Sequence, residues 1–199
     1  MSLKRLLWVL PVVLVLAFAA SADTASVYFN GGYAFGNNGY GIPPYQGTLN
    51  GNSANFFCVD FSHDIYANTG WTANVTNLSS ASFASTLQGS QADYQAFVYL
   101  ISEMMGTNNQ TQKAEYQWAI WSLSGGGDPY GTDATLWNGA LNYVALNPTY
   151  ALNQGWEVLT STGSYGQEFL VQTPEPSSGL LLGIGVLGLL GMAVKKLMA

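Results

Sequence analysis

Two segments of the chain carry side chains that could react with each other. Phe57-Cys58-Val59-Asp60 holds the only cysteine of the 199 residues, and Tyr116-Gln117-Trp118-Ala119-Ile120-Trp121 places a carboxamide in an apolar run. A thiol that attacks the side-chain carbonyl of a glutamine and expels ammonia leaves an acyl thioester, which is a stored electrophile. Cys58 and Gln117 are therefore the candidate residues for an internal thioester crosslink, provided that the fold brings them together.

Cys58 lies in a segment that has the character of a strand. Residues Asn55 to Phe61 predict a strand in which Phe56, Cys58 and Asp60 share one face, and the opposite face is also apolar. We therefore expect Cys58 to be buried. The simpler interpretation of a buried free cysteine is a small hydrophobic core residue.

Gln117 lies on a predicted helix that runs from about Thr111 to Ser124. Positions three and four residues away from it are largely apolar, so the carboxamide is expected to face the core. A buried carboxamide without partners costs roughly 2 kcal/mol or more. Gln117 must then have hydrogen bonds, as an ordinary helix residue would, or take part in a reaction.

The elements that must position these two residues predict an α+β fold. A sandwich-like or barrel-like β-sheet is expected to carry an inserted subdomain of three helices. The first helix starts with a capping box at Ser90 and ends at Gly106, and the third starts at Thr132 or Asp133 and stops before Pro148. The strands are expected at Ser26 to Phe29, at Asn55 to Phe61, in short hairpins within Asn30 to Gly47, and in a closing hairpin of Trp156 to Thr160 and Glu168 to Thr173.

The two reactive segments together resemble the TQXA-like thioester domains of bacterial surface adhesins. The signatures of that family are an aromatic residue or Leu before Cys, and a helix with the pattern hydrophobic-Gln-x-x-hydrophobic-Trp. Phe57-Cys58 matches the first signature and Tyr116 to Trp121 the second. The resemblance implies a spontaneous Cys58–Gln117 thioester that acylates an amine on a surface partner. It also implies a covalent adhesin that is consumed by one reaction, and no turnover enzyme.

The N-terminus predicts export. Residues 1–22 read as a signal peptide, with Lys4 and Arg5 as the basic start, an apolar stretch from Leu6 to Phe18 and a small-residue cleavage site at Ala20-Ser21-Ala22. The apolar stretch is shorter than the ~20 residues of a membrane-spanning helix. The extracellular domain is accordingly expected at residues 23–173.

Residues 174–199 resemble the PEP-CTERM sorting signal of exosortase substrates. The motif Pro174-Glu175-Pro176 is followed by an apolar helix at 179–194 and by the basic residues Lys195 and Lys196. The resemblance implies an exosortase-type processing enzyme, at least transient anchoring in the membrane by the helix, and a final place in the cell envelope or the extracellular matrix. A plain C-terminal membrane anchor is the alternative interpretation.

Charge and composition limit the partners of the domain. All eleven acidic residues and a single basic one, Lys113, lie between Asp23 and Pro176, so nucleic acid is excluded as a partner. The many neutral polar residues are compatible with an exopolysaccharide, or with a surface partner that bears an amine. One cysteine allows neither an intramolecular disulfide nor a zinc ribbon, and no cofactor is predicted.

The sequence also contains residue types found in two other kinds of site, a hydrolase active site and a metal site. A cysteine hydrolase would use His63, the only histidine, with Asp60 and Asp64 close by. Five residues along an extended strand, however, place the side chains of Cys58 and His63 on opposite faces, roughly 16 Å apart, and no other residue completes the constellation. Asp60, His63 and Asp64, or the segment Asp128 to Asp133, have metal-ligating types but no established ligand spacing, so no metal site is predicted. The second segment remains open between a calcium loop and a turn into a capped helix. The alternative function is that of a non-covalent surface or matrix protein with a buried free cysteine.

Overall fold

Strands from both ends of the described chain close one antiparallel barrel. The computed structural model describes residues 24–163 and 166–173. Six strands follow one another around the barrel in the order β1-β4-β5-β8-β7-β6. Their bounds are β1 Thr24–Gly32, β4 Tyr45–Leu49, β5 Asn52–Cys58, β6 Thr69–Asn77, β7 Trp156–Ser161 and β8 Phe169–Gln172. A separate hairpin of β2 Phe35–Asn37 and β3 Tyr40–Ile42 lies between β1 and β4.

Three helices are inserted between β6 and β7, and they pack against one another. They are α1 Gln91–Gly106, α2 Gln110–Trp121, which a short 3-10 turn continues over Ser122–Ser124, and α3 Asp133–Leu146. The side chain of Ser90 accepts a hydrogen bond from the Asp93 N–H at 3.4 Å, so the predicted start of α1 is confirmed. The expected α+β architecture of a barrel-like sheet with a three-helix insertion is also confirmed.

Aromatic rings fill the interior of the barrel. Phe169 of β8 contacts Tyr45 of β4 and Trp71 of β6, with ring centroids 6.1 and 5.8 Å apart, although neither strand is its neighbour in the sheet. Cys58 is paired in register with Phe169 and alternates with Phe56, so it lies on this same inner face. The Cys58 thiol is thus built into the barrel core at the end of a strand.

Two strands differ from the sequence-based expectation. β5 ends at Cys58 instead of Phe61, because the Asp60 carboxylate accepts hydrogen bonds from the N–H and the hydroxyl of Ser62 and turns the chain. β6 was not predicted. Its fully buried positions are held by the small Ala73 and by Thr76, so its hydrophobic pattern is weak.

The predicted signal peptide at 1–22 and the predicted C-terminal helix at 179–194 lie outside the described residues. Within 24–163 and 166–173, no helix is both long and apolar enough to cross a membrane. The barrel is complete at Gln172, so every strand within the described residues precedes the predicted sorting segment at 174–199.

Candidate functional site

Cys58 is fully buried at the point where β5 leaves the barrel. Its thiol donates to the backbone carbonyl of Asp60 at 3.0 Å, and its sulfur accepts from the indole N–H of Trp121 at 3.3 Å. Two hydrogen bonds therefore hold the sulfur: the thiol proton has an acceptor, and one lone pair of the sulfur has a donor. The Trp121 donor comes from α2, the helix that carries Gln117.

Gln117 is also fully buried, and the structure brings it to Cys58 across 59 positions of sequence. Its side-chain nitrogen, Nε2, donates to the backbone carbonyl oxygen of Cys58 at 2.9 Å. Its side-chain oxygen, Oε1, has no hydrogen-bond partner in the described part of the chain. A carboxamide that is buried and half satisfied is an unusual feature of a core, since leaving such an atom unpaired costs about 1–3 kcal/mol.

The spacing of Gln117 and Trp121 on α2 brings both side chains to Cys58. Gln117 and Trp121 are four residues apart, so they lie on one face of α2 and meet the same cysteine. Asn109 caps the helix, accepting from the N–H groups of Thr111 and Gln112 at 2.9 and 3.4 Å. The local sequence thus sets the register in which the amide and the indole arrive.

A second contact locks the end of α2 to the segment after Cys58. The Ser124 hydroxyl accepts from the N–H of Phe61 at 2.7 Å and lies 3.4 Å from the carbonyl of Val59. The strand end that carries the thiol and the helix end that follows Gln117 are therefore joined directly. This connection limits how far the two groups can separate.

The electrostatic environment disfavours a free thiolate. Burial raises the pKa of the Cys58 thiol to about 12; the Trp121 N–H opposes that rise, and the negative charges of Asp60 and Glu168 add to it. At neutral pH the group is a thiol, so its proton must leave during any reaction of the sulfur. Cys58 does not match the low-pKa, partly exposed cysteines that act as nucleophiles in enzymes.

Four aromatic side chains cover the outer side of the site. We name Tyr40, Phe61, Trp118 and Trp121 the aromatic cover. The rings of Tyr40 and Phe61 lie 4.9 Å apart, and Phe61 lies 5.4 Å from Trp121. Tyr40 keeps 44% of its surface exposed, whereas Cys58 and Gln117 are fully buried. Tyr40 is therefore the solvent-exposed part of the cover.

The hairpin of β2 and β3 holds the cover in place. The side-chain oxygen of Asn37 accepts from the indole N–H of Trp118 at 3.1 Å and from the hydroxyl of Tyr130 at 3.0 Å. Tyr40, at the start of β3, is thereby set against the helix. The short strands expected in this region have a definite place, over the buried pair.

His63 is directed away from the thiol. Its Nδ1 lies 2.7 Å from the Asp60 carboxylate and 3.2 Å from the Ser62 hydroxyl, and its side chain is 43% exposed. Among residues 24–163 and 166–173, the hydrogen-bond partners of the Cys58 sulfur are a backbone carbonyl and an indole. The geometry therefore supplies no imidazole to a Cys58 nucleophile.

The two segments with metal-ligating residue types, Asp60 to Asp64 and Asp128 to Asp133, form turns. In the described ranges, no cluster of three or more His, Cys, Asp or Glu side chains is placed to hold a metal ion. The Asp60 carboxylate is engaged by Ser62 and His63. Asp128 accepts from the N–H groups of Thr132 and Asp133 at 3.1 and 3.4 Å, which forms a turn at the start of α3. Thr132, the N-cap residue of that helix, makes no side-chain capping bond.

Sequence reasoning missed two side chains near the site. In the sequence, Trp121 appears only as part of the hydrophobic-Gln-x-x-hydrophobic-Trp pattern, although its position four residues after Gln117 is a signal that both reach one target. Glu168 was assigned to a strand, but it is a buried carboxylate that accepts from Tyr94, from Thr160 and from the N–H of Leu87. A lone acid in an apolar strand pattern was the available signal.

The proposed sorting residues Pro174, Glu175, Pro176, Lys195 and Lys196 lie outside the described residues. Comparison with protein families identifies residues 172–196 as a PEP-CTERM protein-sorting motif. Searches of curated proteins and of solved structures found no match to the chain. The matched motif covers the end of the chain and leaves the barrel and its helices unassigned. The chain therefore carries the sorting motif of an exported protein that is an exosortase substrate.

Proposed function

We propose that the exported domain, residues 23–173, forms an internal thioester between Cys58 and Gln117 and uses it once, to capture a partner covalently at the cell surface or in the matrix. The observation that supports this most is the placement of Gln117. A fully buried carboxamide lies on the backbone of the only cysteine, with its carbonyl oxygen unpaired among the described residues.

The crosslinking reaction needs no reagent beyond the two side chains. The Cys58 sulfur bonds to the side-chain carbonyl carbon of Gln117, and the bond from that carbon to Nε2 breaks. The thiol proton passes to the departing nitrogen, which leaves as ammonia. Holding the two groups in a fixed arrangement replaces a bimolecular encounter and lowers the barrier accordingly.

Burial suits the product. A thioester is lost to water unless the site is dry, and the aromatic cover supplies that condition. A stronger nucleophile such as a primary amine attacks the acyl carbon, forms an amide with the Gln117 side chain and returns Cys58 as a free thiol. Because the electrophile is consumed, the protein acts as a covalent adhesin and not as a turnover enzyme.

Intact mass spectrometry of the purified, exported chain tests the proposal. We expect a mass below that of the sequence by one ammonia, and the gain of one methylamine after incubation with that amine. Cys58→Ala removes the ammonia loss. Gln95→Ala is the matched control, because Gln95 is another buried helical carboxamide, 3% exposed, whose nitrogen donates to Pro148 and Tyr150. An unmodified mass with a thiol that reacts only on unfolding would refute the thioester.

A second candidate is non-covalent binding of a neutral polysaccharide, and a groove favours it. A groove of about 1140 Å³ lies between the barrel and the end of α1. Carboxamides from several strands line it, including Asn52, Asn55 and Gln172, next to the apolar Met105, while Glu157 is its sole charged residue. Carboxamides pair with sugar hydroxyls, and an absence of cations from the lining disfavours anionic ligands.

The two candidates respond differently to one variant. Cys58→Ala abolishes covalent capture if the thioester operates, and it leaves binding in the groove unchanged. Asn55→Ala together with Gln172→Ala has the opposite effect, since both residues line the groove and neither is a hydrogen-bond partner of Cys58 or of the Gln117 side chain among the described residues. Retention of the chain on purified matrix polysaccharide, before and after denaturing washes, separates the two modes.

A further inference from the structure

Asp133, the first residue of α3, is a buried carboxylate without a partner. The residue is 2% exposed, and neither of its side-chain oxygens has a hydrogen-bond partner in the described ranges. A buried and unpaired charge is among the most costly features that a fold can contain. The carboxylate must therefore be neutralised by a proton or by a positive ligand.

Two other residues with side-chain oxygens, Thr132 and Asp128, lie next to Asp133. The hydroxyl of Thr132 is buried and also lacks a partner in the part of the chain that the structure describes. The turn that starts at Asp128 folds back so that one oxygen of its carboxylate, Oδ1, accepts from the N–H groups of Thr132 and Asp133. This turn places the carboxyl group of Asp128 next to that of Asp133.

Protein cations do not compensate this charge. Among the described residues, the salt-bridge contact is the one between His63 and Asp60, elsewhere in the fold. A bound cation would relieve the electrostatic repulsion between the neighbouring carboxylates of Asp128 and Asp133, which have no counter-ion among the described residues.

We propose that the segment Asp128 to Asp133 binds Ca²⁺ through the carboxylates of Asp128 and Asp133 and the hydroxyl of Thr132. The donors are all oxygen, which fits a hard cation and not zinc or copper. Ca²⁺ takes six to eight oxygen ligands in flexible geometry, so water and backbone carbonyls complete its shell. A loop with two carboxylates belongs to the weak extracellular class, with dissociation constants of about 10⁻⁴–10⁻³ M.

The loop has a structural connection to the rest of the domain. Tyr130, in its middle, donates through its hydroxyl to Asn37 of β2. A cation that orders this loop would hold that contact as well. The loop contains neither Cys58 nor Gln117, so its binding of Ca²⁺ does not depend on whether these two residues are crosslinked.

Thermal unfolding and calorimetric titration of the full-length chain in mild detergent, with CaCl₂ as the probe, test the site. We expect the unfolding temperature to rise with Ca²⁺ in the range of about 10⁻⁴–10⁻² M, because a ligand that binds the folded state stabilises it. Asp133→Asn and Thr132→Val should each weaken the response, on the order of tenfold or more for the loss of the buried carboxylate. Asp93→Asn, which removes an acid from the first turn of α1, should leave it unchanged.

Three outcomes would overturn the proposal. One is the absence of a Ca²⁺-dependent shift in the wild-type chain; stabilisation by Asp133→Asn would then show that a shared proton neutralises the pair. Another is an equal shift in wild type and in both loop variants. The third is an equal response to Mg²⁺ with a heat of binding that survives Asp133→Asn. Cys58→Ala is expected to retain the full Ca²⁺ response, so failure of the thioester does not affect this test.

Discussion

The side-chain nitrogen of Gln117 lies 2.9 Å from the backbone carbonyl oxygen of Cys58, while the side-chain oxygen of Gln117 has no donor in the described chain. The single hydrogen bond orients the carboxamide with its nitrogen toward the strand end that carries the thiol. The unpaired oxygen means that hydrogen bonding alone does not account for burying the group. Experiments on the function of the domain should therefore address the side chains of Cys58 and Gln117 first.

The indole of Trp121 is expected to assist the sulfur when the thioester reacts. Its N–H lies 3.3 Å from the Cys58 sulfur, so it stabilises the negative charge that develops as the thiolate departs. Trp121→Phe removes this donor, and the loss of about 1 kcal/mol predicts an amine reaction slowed about fivefold. Stopped-time mass spectrometry with methylamine measures the rate.

Trp118→Phe is the control for that variant. It makes the same change of ring in the aromatic cover but removes a bond to Asn37 and not one to sulfur. Equal slowing by the two variants would show that packing, and not the N–H of Trp121, governs the rate.

Tyr40 is expected to protect the buried pair from water. Its ring is the half-exposed part of the aromatic cover and packs on Phe61 and Trp118. Tyr40→Ala should shorten the lifetime of the thioester severalfold and cost about 1 kcal/mol of stability for the lost ring contacts. Gain of one water in the intact mass over time reports the hydrolysis. Tyr66→Ala, at a side chain that is 71% exposed, should alter neither quantity.

The architecture was predictable wherever local signals agree with the tertiary environment. The capping residue Ser90 and the apolar spacing of α1 fix that helix in sequence as in structure. β6 could not be predicted in the same way, because its buried positions on the two faces are held by the small Ala73 and the polar Thr76, which a hydrophobicity pattern does not register. The end of β5 depended on an Asp60 side chain that turns the backbone, which is turn chemistry and not periodicity.

Only part of the candidate site could be predicted from the sequence. The sequence identified Cys58 and Gln117 as reactive types, but their contact depends on how α2 packs against the end of β5, which no local pattern encodes. The partner of the sulfur, Trp121, and the unpaired carboxylate of Asp133 became visible only when hydrogen bonds could be traced.

Processing at the C-terminus is expected to depend on the sorting motif and not on the domain. Residues 172–196 match the PEP-CTERM motif, and the last strand ends at Gln172. Glu175→Ala should therefore leave most of the chain unprocessed in the membrane fraction, with the fold intact. Ser177→Ala is the neighbouring control. A mature mass and a distribution unchanged by Glu175→Ala would contradict the prediction, and cell fractionation with intact mass measurement decides it.

Glu168 is expected to make the stability of the domain depend on pH. Burial raises the pKa of this carboxyl above its usual 4.5; hydrogen bonds from Thr160, Tyr94 and the Leu87 N–H oppose the rise, and the charge of Asp60 adds to it. The folded chain therefore keeps the Glu168 proton to a higher pH than the unfolded chain does. Between 4.5 and the folded pKa the folded state binds more protons, so its stability falls as the pH rises.

Glu168→Gln should remove this contribution. The variant loses an acceptor for Leu87 and Thr160, which costs about 1–3 kcal/mol, so slopes and not absolute stabilities are compared. We expect the free energy of unfolding of wild type, minus that of the variant, to be largest at low pH and to decline as the pH rises through the window above 4.5. Urea denaturation over a pH series gives this difference, and Glu103→Gln, on the exposed side of α1, gives the baseline. A difference that grows with pH would mean that the three hydrogen bonds outweigh burial, and that Glu168 is held as an anion beside the cysteine.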